Sequence, residues 1–184
     1  MSGFTTFELG GVVASITSAF TLSHAYAPLG GSVVLRMLDG GAVKQVHWEK
    51  LAVSIRGEGI LPPGLENLSY KDPLVLKCGA ARGTAAVGRL GIAIPVERRV
   101  DAGFTPEGFG WVPDTAEPTL GAWVSSPVAL NIGPPDTADV DAVAGATQYR
   151  VTYFPQITVF ADPPEVDNDL HGKIIGWTIN AEQV

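Results

Sequence analysis

Residues 32–56, SVVLRMLDGGAVKQVHWEKLAVSIR, constrain this chain more than any other stretch. Aliphatic and β-branched runs flank Asp39-Gly40-Gly41, and Asp-Gly and Gly-Gly pairs supply the positive φ angles that tight hairpin turns need. The stretch therefore predicts two antiparallel strands folded back on each other. Val33, Leu35 and Met37 share one parity before the turn, and Val34, Arg36 and Leu38 share the other. After the turn Val46 and Trp48 lie on one face, and Leu51, Val53 and Ile55 take the opposite parity. That switch, at Glu49–Lys50, predicts a β-bulge or a bend. A hairpin this long and two-faced exceeds what one small core covers, so it reads as an arm that a neighbouring subunit helps to bury.

The rest of the chain is consistent with such a partner. Charged residues make up only 17% of the 184, and mean hydropathy is +0.21. No apolar run approaches the roughly 18–20 residues that span a bilayer, so burial between subunits is the expected outlet for the surplus, with no membrane partner. The N-terminal MSGFTTFELGG has no basic segment followed by an apolar run, and no secretory leader is read there. Cys78 is the single cysteine, which excludes an intramolecular disulfide framework and leaves it as a small buried apolar residue. The net charge of −7 is uneven. Residues 1–100 hold 10 Lys/Arg against 7 Asp/Glu, and residues 101–184 hold 2 against 12. Unlike halves suit head-to-tail contact between copies, and the acidic total argues against a general nucleic-acid-binding patch.

In chain order, the fold class expected is all-β: a β-sandwich or barrel, one domain over 1–184, with a protruding hairpin and little or no helix. Val12, Ala14 and Ile16 alternate with Val13, Ser15 and Thr17 as a short strand, and Pro28, Gly30 and Gly31 are expected to interrupt the chain before the hairpin. Leu65–Tyr70 allows one helical turn, and Asp72–Cys78 resumes a strand with Leu74 and Leu76 on one side. Gly79–Gly91, rich in Gly and Ala with Arg82 and Arg89, reads as a subunit-contacting loop, since the phosphate-binding pattern GxxxxGK[ST] is absent. Leu90–Val96 is a short strand that ends at Glu97, Arg98 and Arg99. Six prolines over 103–136 exclude long helices and favour edge strands in an excursion or second small sheet. In Thr147–Ala161, Tyr149, Val151, Tyr153, Ile157 and Val159 occupy odd positions, a half-buried strand bent at Pro155. Residues 162–173 read as a polar loop, and Ile175, Trp177 and Ile179 as one face of a closing strand.

No constellation carries chemistry. Asp162, Glu165, Asp167, Asn168 and Asp169 resemble a calcium loop in composition but lack its register, and Asp136, Asp139 and Asp141 are no stronger. His24, His47 and His171 stand outside any HExxH or Cys/His cluster, and GxSxG is absent. The expectation is a non-enzyme without cofactor or metal. The residues assigned to contact between subunits are Val34, Arg36, Leu38, Asp39, Gly40, Val46, Trp48, Arg82 and Arg89. Trp48, Trp111, Trp123 and Trp177 also offer stacking faces for a sugar, although core burial is the default for most tryptophans.

Three segments resemble structural proteins from the tail module of long-tailed bacteriophages. The first is Trp48–Tyr70, with Gly57-x-Gly59-x-Leu61-Pro62-Pro63-Gly64-Leu65. The second is Val143-Ala144-Gly145-Ala146-Thr147-x-Tyr149-Arg150-Val151-x-Tyr153-x-Pro155. The third is His171-Gly172 with Gly176-Trp177-Thr178-Ile179-x-Ala181-Glu182. Together they cover about half the chain. The resemblance implies a virion protein made in the host cytoplasm, a subunit whose partners are copies of itself in head-to-tail, hexameric rings, other tail proteins, and genomic DNA passing without specific binding. An acidic lumen would let the DNA slide. A capsid decoration, neck or baseplate subunit, or a module binding sugars or a host surface, is the alternative.

Overall fold

Alternating β-branched and aromatic residues without helical periodicity give strands almost throughout, and the chain is all-β. The computed structural model describes residues 6–14, 16–117, 120–131, 136–168 and 174–184. The described residues form two compact units, one of residues 77–156 and the other from the segments on either side of it.

In the flanking unit, β1 (Glu8–Leu9) and β2 (Val12–Val13) form a short hairpin, followed by one 3-10 turn at Ile16–Ser18. The strand expected at 12–17 is thus only two residues long. β3 (Thr21–Arg36) and β4 (Ala42–Gly59) make the long hairpin, and β5 (Leu74–Lys77) follows an irregular segment. Residues 65–70 form turns instead of a helical turn: the Tyr70 hydroxyl donates to the Leu65 carbonyl at 2.7 Å, and Leu65 is fully buried.

The intervening unit then runs through β6 (Arg82–Val87), β7 (Gly91–Ala93), β8 (Glu107–Pro113), β9 (Gly121–Ser126), β10 (Val128–Asn131), β11 (Thr137–Val140) and β12 (Gln148–Tyr153). The chain returns as β13 (Gln156–Ala161), β14 (Glu165–Asn168) and β15 (Ile175–Gln183). The alternating run 147–161 is therefore divided. Odd residues are buried on both sides of Pro155, but β12 and β13 serve different sheets.

The intervening unit is a β-sandwich. A four-stranded sheet, β6-β12-β8-β9, lies over a three-stranded sheet, β10-β11-β7. Ile92, Ile94, Ala138, Val140, Tyr149, Val151 and Tyr153 fill the space between. The proline-rich stretch supplies β8, β9 and β10, so proline there bounds short strands. The middle of Gly79–Gly91 is strand, because Arg82–Val87 pairs along β12 from Tyr153 to Gln148; the residues before it and 88–90 after it are irregular, and Gly91 opens β7.

The flanking unit is one eight-stranded sheet, ordered β2-β1-β5-β13-β15-β4-β3, with β14 also on β15. The sheet rolls far enough that Phe7, beside β1, meets His24 on the last strand at 6.1 Å between ring centres and Trp177 at 5.6 Å. Leu9, Val53, Ile55, Leu76, Val159 and Ile179 line the enclosed core, and Cys78 in the other unit is also buried. Glu165–Asn168, read from sequence as loop, is a strand because its backbone pairs with Ile175–Thr178.

Candidate assembly surface

β3 and β4 stay paired from Thr21/Glu58 to Arg36/Ala42, so the hairpin is longer than the sequence suggests. Pro28, Gly30 and Gly31 do not interrupt it. β3 is the last strand of the sheet, where a missing proline N–H breaks no ladder. β15 accompanies β4 only as far as Ala52, opposite Glu182. There the Leu51 N–H donates to Gln183 Oε1 at 3.0 Å and Lys50 Nζ to the Val184 carbonyl at 2.6 Å. Past this root the two strands run alone as a ribbon, and every residue from Ser32 to Glu49 is exposed.

The tip is the predicted turn. Met37 N–H donates to the Gly41 carbonyl, Gly40 N–H returns to Met37, Gly41 N–H bonds Asp39 Oδ1, and Gly40 adopts a φ of 85°. The bulge falls elsewhere than predicted. Trp48 opposes Gly31, but Ser32 opposes Val46, so His47 is the extra residue, while Trp48 to Leu51 pair in regular register. The change of apolar parity at Glu49–Lys50 marks the end of burial instead. Leu51 belongs to the core side, and Trp48 belongs to the other side of the ribbon. Trp48 lies over Gly31: a Cβ built there would stand 2.6 Å from its indole nitrogen.

The register sorts the arm into two faces. Val34, Arg36, Lys44 and Val46 continue the core side of the sheet, with a cavity of about 220 Å³ lined there by Pro28, Lys44 and Val46. Leu29, Val33, Leu35, Val43 and Trp48 occupy the other face. Leu38 at the tip is wholly exposed.

Of the residues assigned to subunit contact, Val34, Arg36, Leu38, Asp39, Gly40, Val46 and Trp48 are together on this arm. Arg82 and Arg89 belong to the other unit, exposed at the start of β6 and in the turn after it. Sequence reasoning missed a second surface. The outer side of the same sheet, away from the core, holds two adjoining depressions of about 720 and 610 Å³. Glu58, Glu165 and Asp167 line the first with Arg56, and Asp162 and Glu182 line the second. The signal was present as the even positions of β4 and β15, but no periodicity tells which polar face is hollow.

The acidic groups do not gather into a metal site: among the described residues no three His, Cys, Asp or Glu side chains converge. Asp136 is committed to Arg98 at 2.7 Å, and Asp139 accepts from the Asn131 amide. Asp169 and His171 lie outside the described residues. Only Trp177 is a core tryptophan. Trp111 and Trp123 sit side by side on the outer face of β8 and β9, 5.4 Å apart and tilted by 56°, with the Arg150 guanidinium 5.4 Å over Trp123. No described helix is long and apolar enough to cross a membrane.

No known protein family matches the chain, and neither the curated proteins nor the solved structures contain a match.

Proposed function

We propose that this chain is a structural subunit of a long-tailed phage virion, assembling with copies of itself into stacked tail rings that form a conduit for DNA. The observation that carries the reading is the arm: a ribbon of two long strands with Val34, Leu35, Met37, Leu38, Val46 and Trp48 between 48% and 112% exposed. Apolar surface on both faces of an extended ribbon is a liability unless another chain covers it. The ribbon is also built to persist, with a closed turn, a regular register on both sides of one bulge, and a root anchored at Lys50 and Leu51. Light scattering with negative-stain microscopy of the purified protein tests the proposal. Tubes or six-fold rings are expected. Discrete trimers would move the subunit to capsid decoration, and a monodisperse monomer at high concentration would overturn assembly altogether.

A second reading concerns the intervening unit alone. The Trp111–Trp123 pair with Arg150 and Gln148 on one open sheet face is a platform of the kind that stacks sugar rings and holds their hydroxyls. Glycan-array binding lost in Trp123→Ala would support it, and a blank array would remove it.

A further inference from the structure

We infer that the arm of one copy docks, through its Arg36–Lys44 face, into the acidic trough on the outer side of the β3-β4-β15-β14 sheet of a second copy. This rests on the assembly reading above and names the surface that receives the arm.

The arm face is mixed in the way an inserted ribbon requires. Val34 pairs directly with Lys44, Arg36 with Ala42, and Ser32 with Val46, so two cations and two valines project together. Arg36 and Lys44 are diagonal neighbours, and Asp39 turns its carboxylate back onto the Gly41 N–H. This half of the ribbon therefore presents positive charge at its far end.

The trough is its complement. Its rim carries Glu58, Glu165, Asp167, Asp162 and Glu182 against the single cation Arg56. Glu58 already accepts a long bond from Thr21 Oγ1 at 3.4 Å, which holds one rim carboxylate toward the hollow. Along β3 and β4 its floor is made mostly of small side chains, Ser23, Ala25, Ala27, Ala52 and Ser54, with Phe160 and Asn180 beside them. Small residues leave room for the valines of an incoming ribbon, as facing sheets pack about 10 Å apart. The lengths agree too. Ala52 to Glu58 spans about 20 Å at ~3.4 Å per residue, and Ser32 to Arg36 with the turn beyond it needs about the same.

The two surfaces lie on opposite sides of one continuous sheet, since the register fixes Val34 on the core side and Ala27 on the outer side. A copy cannot fill its own trough with its own arm. Made in one direction from copy to copy, the contact is heterologous and repeats into a closed ring or an extended stack; exchanged reciprocally between two copies, it stops at a two-fold dimer.

Charge reversal tests the pairing on the full chain. Arg36→Glu with Lys44→Glu is expected to abolish assembly at concentrations where the wild type assembles. Glu58→Lys with Glu165→Lys and Asp167→Lys is expected to do the same. All five together in one chain are expected to restore it, because the charges are exchanged and not lost. Circular dichroism of each variant reports folding separately. Wild-type assembly that survives both reversals, or that the combined variant fails to recover when it is folded, overturns the docking and leaves the assembly reading standing. A wild type that stays monomeric overturns both.

Discussion

Trp177 lies across Gly57 from the neighbouring strand, so close that a Cβ on Gly57 would stand 2.2 Å from the indole ring. The same indole donates Nε1–H to the buried Ser18 carbonyl at 2.6 Å. A missing side chain on β4 thus lets β15 place a large ring that ties the 3-10 turn to the sheet. Gly57→Ala is expected to cost about 3 kcal/mol, from overpacking and from loss of a buried hydrogen bond. Urea unfolding followed by tryptophan fluorescence measures it. In a Trp177→Leu background the same substitution should cost under about 1 kcal/mol, because the two residues act as one unit. Equal costs in both backgrounds would mean that the ring is not what Gly57 accommodates.

The intervening unit has an ionic counterpart to that contact. Arg98 Nη1 bonds Asp136 Oδ2 at 2.7 Å and the Pro95 carbonyl at 2.7 Å, with both charged side chains only 7% exposed. Breaking a buried pair leaves an uncompensated charge, so Arg98→Met should cost about 3–5 kcal/mol. Replacing both partners, Arg98→Met with Asp136→Leu, should recover most of that loss. Denaturant midpoints of the two variants decide it.

How much of this was legible depended on whether a residue's role is local. The turn at Asp39-Gly40-Gly41 and the odd-residue burial of Tyr149 to Val159 follow from spacing alone, and both were read correctly. Pro28, Gly30 and Gly31 misled because a proline breaks a central strand but not an edge strand, and edge position is a property of the whole sheet. Arg98 and Arg99 read only as part of the charged trio that ends a strand. They are buried because Asp136 lies 38 residues away from Arg98, and because Phe104 places its ring 3.3 Å from the Arg99 guanidinium carbon. The trough was invisible for the same reason: its acidic rim comes from β4, from Asp162 just after β13, and from β14 and β15, segments brought together only by strand pairing.

The arm lies outside the core, which gives a clean separation of folding from assembly. Replacing residues 30–49 with Asn-Gly would join Leu29 to Lys50, which already face each other, through a two-residue hairpin turn. The truncated chain is expected to stay folded, with a stability change within about 1 kcal/mol since no core side chain is removed. It should remain monomeric by light scattering. Assembly indistinguishable from that of the full chain would show that the ribbon is not the contact.

His24 makes the stability of the flanking unit depend on pH. Its ring stands edge-on to Phe7 and stacked on Tyr26 at 6.2 Å, and burial lowers its pKa from 6.5 to about 4. Because the folded pKa is depressed, the unfolded chain binds the proton first as pH falls from 6.5. Above pH 6.5 both states are neutral there and the residue contributes no pH dependence. Between pH 6.5 and about 4 stability declines as pH falls, and below about 4 the full penalty is in place. Carboxylates titrate near the lower end of this window, so the measurement is a difference. Denaturant midpoints of the wild type should fall more steeply from pH 6.5 to 4.5 than those of His24→Phe, which keeps an aromatic ring against Phe7. Parallel profiles would show that His24 takes up its proton equally in both states.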